Sequence, residues 1–404
     1  MSSQTSFDLL INQAKLGAFM MLGILVLIIL ALIGFQYWIF MKKFRNRKRS
    51  LKEKVFLKIQ IPEDNEIEPA AAEQMYSSFY GIRKSGFWES LNEQDHISFE
   101  IVGTKDSIDF YAVCPESLAN LVEKQINAAY PEAEILRVEP WNIWDDKGKV
   151  EFSSLVLKKE NYLPINSYDD MKVDSMAVIT SGLSKLHEGE GVAFQMLIRP
   201  AEDSWQKSGK THMKEFYKKH NETDKDGKPK GPRMGKMEED YLLGIQEKIA
   251  KVGFETVIRL VSVSVDEASA KANLSNLERA FGLFDSPVFN SFKKAPKRFP
   301  RYFVLGFLAR MFPVIEKFEF PFEINLFFKK EYYKSWSIFN TEELATLWHM
   351  PSKTVRTPRI NWLRSKGSAA PIELPTSGLY LGQSIFRGQE IKIFMRDDDR
   401  RRHR

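Results

Sequence analysis

Hydrophobic positions along this chain fall into distinct textures. The first is unbroken: from Leu16 to Met41 no residue is charged. At about 1.5 Å per residue such a run crosses a hydrocarbon core about 30 Å thick with some tilt. It predicts a transmembrane helix over 16–41, after an extracytoplasmic tail over 1–15. Tyr37 and Trp38 fall near its end, where amphipathic rings prefer the headgroup level. A cleaved signal peptide needs a basic leader, a shorter apolar stretch and a small-residue cleavage site, and the sequence MSSQTSFDLLINQAK with its long apolar run does not fit that pattern.

The second texture is alternation. Val55 to Ile61 reads as a half-buried strand closed by Pro62, and Ala70 to Ile82 carries Ala71, Met75, Phe79 and Ile82 at helical spacing. His96 to Val102 and Ser107 to Val113 are strands joined by a turn over Gly103 to Asp106. A helix begins at Pro115 and Glu116, shows Leu118, Leu121, Val122 and Ile126 on one face and stops before Pro131, ahead of a closing strand, Glu134 to Val138. Strand, helix, strand, strand, helix, strand is the ferredoxin-like order, and it predicts an α+β unit over 55–140.

A second copy follows over 150–330. Its strands are Phe152 to Leu157, Gly191 to Ile198, Thr256 to Val265 and Phe318 to Phe328, and its helices Asp174 to Leu186 and Glu267 to Phe281. An insertion over 204–236, dense in Lys, Gly, Asp and Pro, interrupts it and predicts a mobile loop with one short helix around Met213 to Tyr217. A β-rich C-terminal extension occupies 331–404.

Charge orients the helix. Lys42, Lys43, Arg45, Arg47, Lys48, Arg49, Lys52 and Lys54 follow it against Glu53 alone. By the positive-inside rule this juxtamembrane segment, 42–54, is cytoplasmic, which makes the chain a single-pass protein of the inner membrane. The same bases can hold anionic headgroups, so membrane lipid is an expected partner. Eight bases and one acid give the segment +7 while the whole chain is +6, so the remainder sums to −1. A body so nearly neutral weakens a nucleic-acid reading, although Lys293, Lys294, Lys297, Arg298 and Arg301 interleave with Phe292, Phe299, Tyr302 and Phe303 in a mixture that could stack on bases.

Catalytic patterns are missing from the sequence. Ser204 to Thr211 ends in Gly-Lys-Thr like a phosphate loop, but starts with Ser and holds Trp205 inside. The six histidines, His96, His187, His212, His220, His349 and His403, lack metal-ligand spacing. Cys114 is the one cysteine, so no intrachain disulfide forms, and its place at a strand end predicts a buried inert thiol. Asp397, Asp398 and Asp399 are neutralised by Arg396, Arg400, Arg401 and Arg402. No cofactor or metal is expected, nor is an enzyme.

Phe339 to Pro351 (FNTEELATLWHMP), Thr357 to Trp362 (TPRINW) and Leu379 to Gln389 (LYLGQSIFRGQ) resemble the segment leading into the motor domain of TraG-like type IV secretion and conjugation coupling ATPases. Glu73 to Tyr76 and His96 to Glu100 resemble the membrane-proximal region of one bacterial branch, so the likeness covers 50–404. Relatives continue from a tail such as Asp399 to His403 into the phosphate loop of the motor. Here the sequence stops at Arg404, and no motor residue can be carried over. The resemblance implies a non-enzymatic, membrane-anchored module that docks a separately encoded secretion ATPase. Asn340, Thr341, Glu342, Glu343, Leu344, Phe386, Arg387 and Gly388 are the candidate docking residues. Read without the family, Asn340 or Thr341 caps a helix with Glu342 and Glu343 in its first turn and Leu344, Leu347 and Trp348 on its apolar face. A membrane-tethered module that binds lipid or nucleic acid is the alternative, and a homo-oligomer stays open.

Overall fold

The computed structural model describes residues 15–35, 37–38, 54–84, 94–145, 148–220, 234–295, 300–313, 336–364, 371, 373–386 and 389–402. The N-terminal helix α1, Lys15–Phe35, has a mean hydropathy of 3.0 over its most apolar window, with none of that window buried. It is long and apolar enough to cross a membrane. Residues 39–53, which hold all the juxtamembrane bases except Lys54, lie outside the described residues.

The body is a mixed α+β structure on one largely antiparallel sheet. Its first half runs β1 (Lys54–Gln60), α2 (Pro69–Phe79), β2 (Ile97–Thr104), β3 (Ile108–Pro115), α3 (Glu116–Ala129) and β4 (Glu134–Val138). The second half runs β5 (Lys149–Leu157), α4 (Ser175–Gly182), β6 (Gly191–Pro200), α5 (Ser204–His220), α6 (Lys236–Ala250), β7 (Gly253–Ser264), α7 (Glu267–Ala280) and β8 (Phe292–Lys294). Strand order across the sheet is β4-β1-β3-β2-β6-β7-β5-β8. Each half therefore places its fourth strand outermost, then its first, third and second, and the halves meet where the two second strands pair antiparallel, Ile97 opposite Ile198 through Thr104 opposite Gly191.

Alternation decides the faces. In β2, Ile97, Phe99 and Ile101 join the main core while Val102 joins a smaller cluster on the opposite face. Strands β2 and β6 at the seam are buried on both faces; Val192 to Ile198 of β6 is nearly continuously apolar, whereas β2 keeps polar Ser98 and Glu100 on the second face. On the first face lie α2, α3, α4 and α7, whose Tyr76, Val122, Ile179 and Leu277 belong to the main core. On the second face, helix α8 (Pro300–Leu308) and the segment after β4 cover the sheet. Phe303 stacks on Phe152 with ring centroids 4.3 Å apart, and Phe307 meets Trp141 and Trp144 edge-on.

A third part of the chain ties the halves together. Strand β9 (Ser337–Asn340) pairs with the start of β7, and α9 (Thr341–Leu347) follows at once. Trp348 is completely buried, 4.7 Å from Phe99 between ring centroids, and its carbonyl accepts from Tyr76 Oη at 3.0 Å. The chain then crosses the first half. Lys353 N donates to Asn65 O, Ile108 N to Arg359 O and Leu363 N to Ile61 O. Beyond it, β10 (Leu379–Phe386) and β11 (Gln389–Met395) pair with each other and, among the described residues, with no other strand, and α10 spans Asp397–Arg402.

Two expectations change. The insertion is not a loop from its start: α5 runs from Ser204 to His220 because Trp205 and Gly209 supply a buried face, and 221–233 lie outside the described residues. Phe292 to Lys294, read as part of a basic aromatic stretch, is the strand that pairs with β5. Its Phe292 packs on Phe281 and Phe284. The strand expected at Phe318 to Phe328 lies outside the described residues.

Candidate functional site

The loop entering α2, the turn before α4 and the stretch after α9 enclose a cleft of about 580 Å³. Asp174 lies at its base and caps α4 through Met176 N at 2.8 Å. The same carboxylate accepts from His349 Nε2 at 3.0 Å and Ser352 Oγ at 2.8 Å. Burial pushes the Asp174 carboxyl up, but these three donors outweigh it and hold the group below its usual range. His349 is buried, with Nδ1 2.7 Å from Ala345 O, so both ring nitrogens face acceptors.

Aspartate, histidine and serine are thus present in the wrong order for a proton relay. The carboxylate stands between the hydroxyl and the imidazole, whereas an activated serine needs the imidazole in the middle. Ser352 also meets Thr354 Oγ1 at 2.7 Å. At the rim Lys353 pairs with Glu66, and burial followed by the nearby Glu342 charge raises the Asp169 carboxyl. The cleft is a polar joint between α4 and the C-terminal crossing.

A second polar cluster sits under α8 at the seam. Glu100 is directly opposite Gln195. Its carboxylate accepts from Arg310 Nε at 3.0 Å and Nη2 at 3.1 Å, from Ser98, Gln195 and Trp141. Burial opposes the Glu100 charge, but the Arg310 guanidinium and these donors more than offset it, leaving the carboxyl below its usual value. Arg310 itself adopts φ 47° and lies over the rings of Phe56 and Trp141. Arg259 donates to Gln195, Gly306 O and Met311 O. The carbonyls at the end of α8 thereby meet cations, as the negative end of a helix dipole favours.

Lys54, expected at the membrane surface, belongs to this region. Its ammonium donates to Ala309 O and Arg310 O, both at 2.7 Å. Of the candidate docking residues, Asn340, Thr341, Glu343 and Leu344 are buried inside this chain, which leaves them no surface to offer. Glu342 is partly exposed and bonds to Lys251. Phe386 ends β10, and Arg387 and Gly388 lie outside the described residues. The Gly-Lys-Thr of the phosphate-loop likeness is interior to α5. Burial pushes the Cys114 thiol up to about 12, so it stays protonated. Among the described residues, no group of three or more His, Cys, Asp or Glu could hold a metal ion.

An exposed apolar run lies on β10. Leu379, Tyr380 and Leu381 are 45%, 53% and 55% exposed, and Ile391 of β11, opposite Ser384 further along the ribbon, is exposed too. A bulge between Tyr380 and Gly382 twists the ribbon, and the Tyr380 and Phe394 rings lie 5.7 Å apart.

The profile of the family described as Domain of unknown function (DUF8128) matches residues 43–363. The chain belongs to the DUF8128 family. The DUF8128 match ends at Leu363, where the C-terminal crossing makes its bond to Ile61, and β10 and β11 lie beyond it. No curated protein matches the chain. Among solved structures, the crystal structure of aclacinomycin oxidoreductase is similar at 12% identity and a TM-score of 0.26, over 57% of this chain and 41% of that one. The chain thus spans less than half the length of that protein.

Proposed function

We propose that this protein is a non-enzymatic, membrane-anchored module of a type IV secretion or conjugation apparatus that receives a motor ATPase at the cytoplasmic face. In this reading α1 crosses the inner membrane, the basic segment after it stays inside, and the body consists of two ferredoxin-like units joined edge to edge. The repeated strand order supports the last point, since a βαββαβ chain folded that way places its fourth strand beside its first.

The observation that carries the docking role is the β10–β11 ribbon. A two-stranded hairpin is marginal in water on its own, yet this one pairs with no other strand among the described residues and exposes Leu379, Tyr380 and Leu381. Open strand edges and an apolar surface are what strand-addition partners use. The lipid or nucleic-acid alternative draws less support, because Phe292 is spent on the core and Lys294 pairs with Glu278.

The test is capture from native membranes by the detergent-solubilised full chain at about 50 mM and about 500 mM salt. The expected result is a partner with a Walker A phosphate loop, retained at high salt and lost from a Leu379→Asp, Tyr380→Asp, Leu381→Asp variant. Retention of that partner by the variant, or recovery of lipid or nucleic acid alone at low salt, sinks the docking role.

A further inference from the structure

Helices α5 and α6 form an antiparallel pair inserted between β6 and β7. Gln206 Nε2 donates to Ile249 O, His212 Nε2 lies 3.2 Å from Tyr241 Oη, and His220 meets Glu238 at 3.1 Å. A Cβ at buried Gly209 would come within 2.9 Å of Ile249. These contacts fix the side that each helix turns to the other. With 3.6 residues per turn, Lys207, Lys210, Lys214 and Lys218 fall on the side of α5 turned away from α6. All four are exposed, and none has an ion pair among the described residues. They make a positive ridge about 16 Å long. Tyr217, 40% exposed, flanks it one turn from Lys214.

The acids of the pair lie elsewhere. Glu238, Tyr241 and buried Ile249 of α6 meet α5, so Glu239, Asp240 and Glu247, all exposed, are on the far side of α6. Two helix widths, about 20 Å, separate them from the lysines, which is about two Debye lengths at physiological salt. Within α5 the one acid is Glu215, on the flank toward Tyr162. The outer face of α5 is therefore a surface of one sign.

Strand register locates that surface. Lys54 at the start of β1 is opposite Pro115, and Ser98 near the start of β2 is opposite Val113. Ile97 is opposite Ile198, and Pro200 at the end of β6 is opposite Phe254 of β7. The start of β1 and the root of the helix pair are thus at the same end of the sheet. Lys54 is also where the chain enters the body after the apolar run that ends at Met41. Residues 42–53, fully extended, reach about 45 Å at most, which keeps this end of the body near any bilayer that α1 crosses.

An anionic leaflet within reach of an unneutralised lysine ridge attracts it, and Tyr217 suits the headgroup level. The tether adds a high effective concentration. A nucleic acid has no tether and would meet four lysines on a body whose net charge is close to zero. We propose that the outer face of α5 lies against anionic phospholipid headgroups of the membrane in which the chain is anchored. This rests on the reading of α1 as an anchor and is independent of the docking role of the ribbon.

The experiment places the full chain in lipid nanodiscs of phosphatidylcholine alone or with about one-third phosphatidylserine. Thr211→Cys puts a donor dye on the outer face of α5, and Glu247→Cys puts it on the far side of α6 in a control. Cys114 is buried and escapes labelling. Energy transfer from the Thr211→Cys dye to acceptor-labelled lipid should rise at least about twofold with phosphatidylserine at about 50 mM salt and lose that rise at about 500 mM. Lys207→Gln, Lys210→Gln, Lys214→Gln and Lys218→Gln together should abolish the rise, with near-ultraviolet circular dichroism showing that the variant folds. The Glu247→Cys dye should show the smaller transfer in every disc. Transfer indifferent to phosphatidylserine, a rise that survives the four glutamines, or equal transfer from both dyes overturns the proposal. So does a single-stranded oligonucleotide that binds phosphatidylcholine discs through the four lysines while phosphatidylserine has no effect. A chain that stays soluble and never enters discs removes the anchor and this contact together, whereas one that enters discs with unchanged transfer removes the contact alone.

Discussion

His96 is a buried ring in a cationic neighbourhood. Its Nε2 lies 2.5 Å from Arg310 O and 3.5 Å from the Lys54 ammonium. Burial, reinforced by the Lys54 charge, lowers its pKa from 6.5 to about 3. The unfolded chain therefore binds a proton between those values that the folded chain refuses. Stability is unaffected by this group above pH 6.5 and falls as pH drops from 6.5 towards about 3, by at most about 1.4 kcal/mol per pH unit. Denaturant titrations across that window should show a shallower acid slope for His96→Gln than for the unmodified chain. An unchanged slope assigns the acid sensitivity elsewhere. From the sequence, His96 was only the first residue of a strand without metal-ligand spacing. Its environment comes from Lys54 and Arg310, at positions far apart in the chain, which periodicity does not register.

At the scale of elements, α9 shows both the reach and the limit of pattern reading. The cap was legible: Asn340 Oδ1 accepts from Glu343 N at 2.8 Å, and Glu343 returns the bond to Asn340 N at 3.0 Å. What the pattern hides is that the polar side of this helix is buried too. Glu343 also accepts from Ile165 N and pairs with the Lys248 ammonium of α6 at 2.9 Å, both side chains nearly inaccessible. Burial pushes the Glu343 carboxyl up and the Lys248 amine down, so each depends on the other to stay charged. Replacing Glu343 by Ala strands that ammonium and should cost about 3–5 kcal/mol in denaturant unfolding. Combining Glu343→Leu with Lys248→Met should recover most of that loss. If the double change is as damaging as the single one, packing rather than the stranded charge ties α9 to α6. The missed β8 has a different reason. A three-residue strand is too short to show alternation, and its identity comes from pairing with β5, which local reading cannot see.

Across the whole molecule, the first half was the more legible because its strands alternate cleanly and its turns are short. The second half carries the same order around two inserted helices. The joining of β2 to β6 left no local mark: β6, buried on both faces, shows little of the contrast on which periodicity depends, and the alternation of β2 does not show which strand lies beside it. The polar joint around Asp174 and His349 was equally silent, being assembled from segments separated by more than a hundred positions.

The late position of Trp348 in the chain has a consequence in time. Roughly 200 residues must be made after β4 before Trp348 can cover Phe99 and Phe110, which at about 5–20 residues per second on a ribosome is of the order of 10–40 s. For that interval the half-finished core stands open on the nascent chain. Ribosome-bound chains halted shortly before β9 has emerged should remain sensitive to protease between β1 and β4. Those halted after residue 364 has cleared the exit tunnel should become resistant, and equal resistance in both would mean that the first half closes without its last piece.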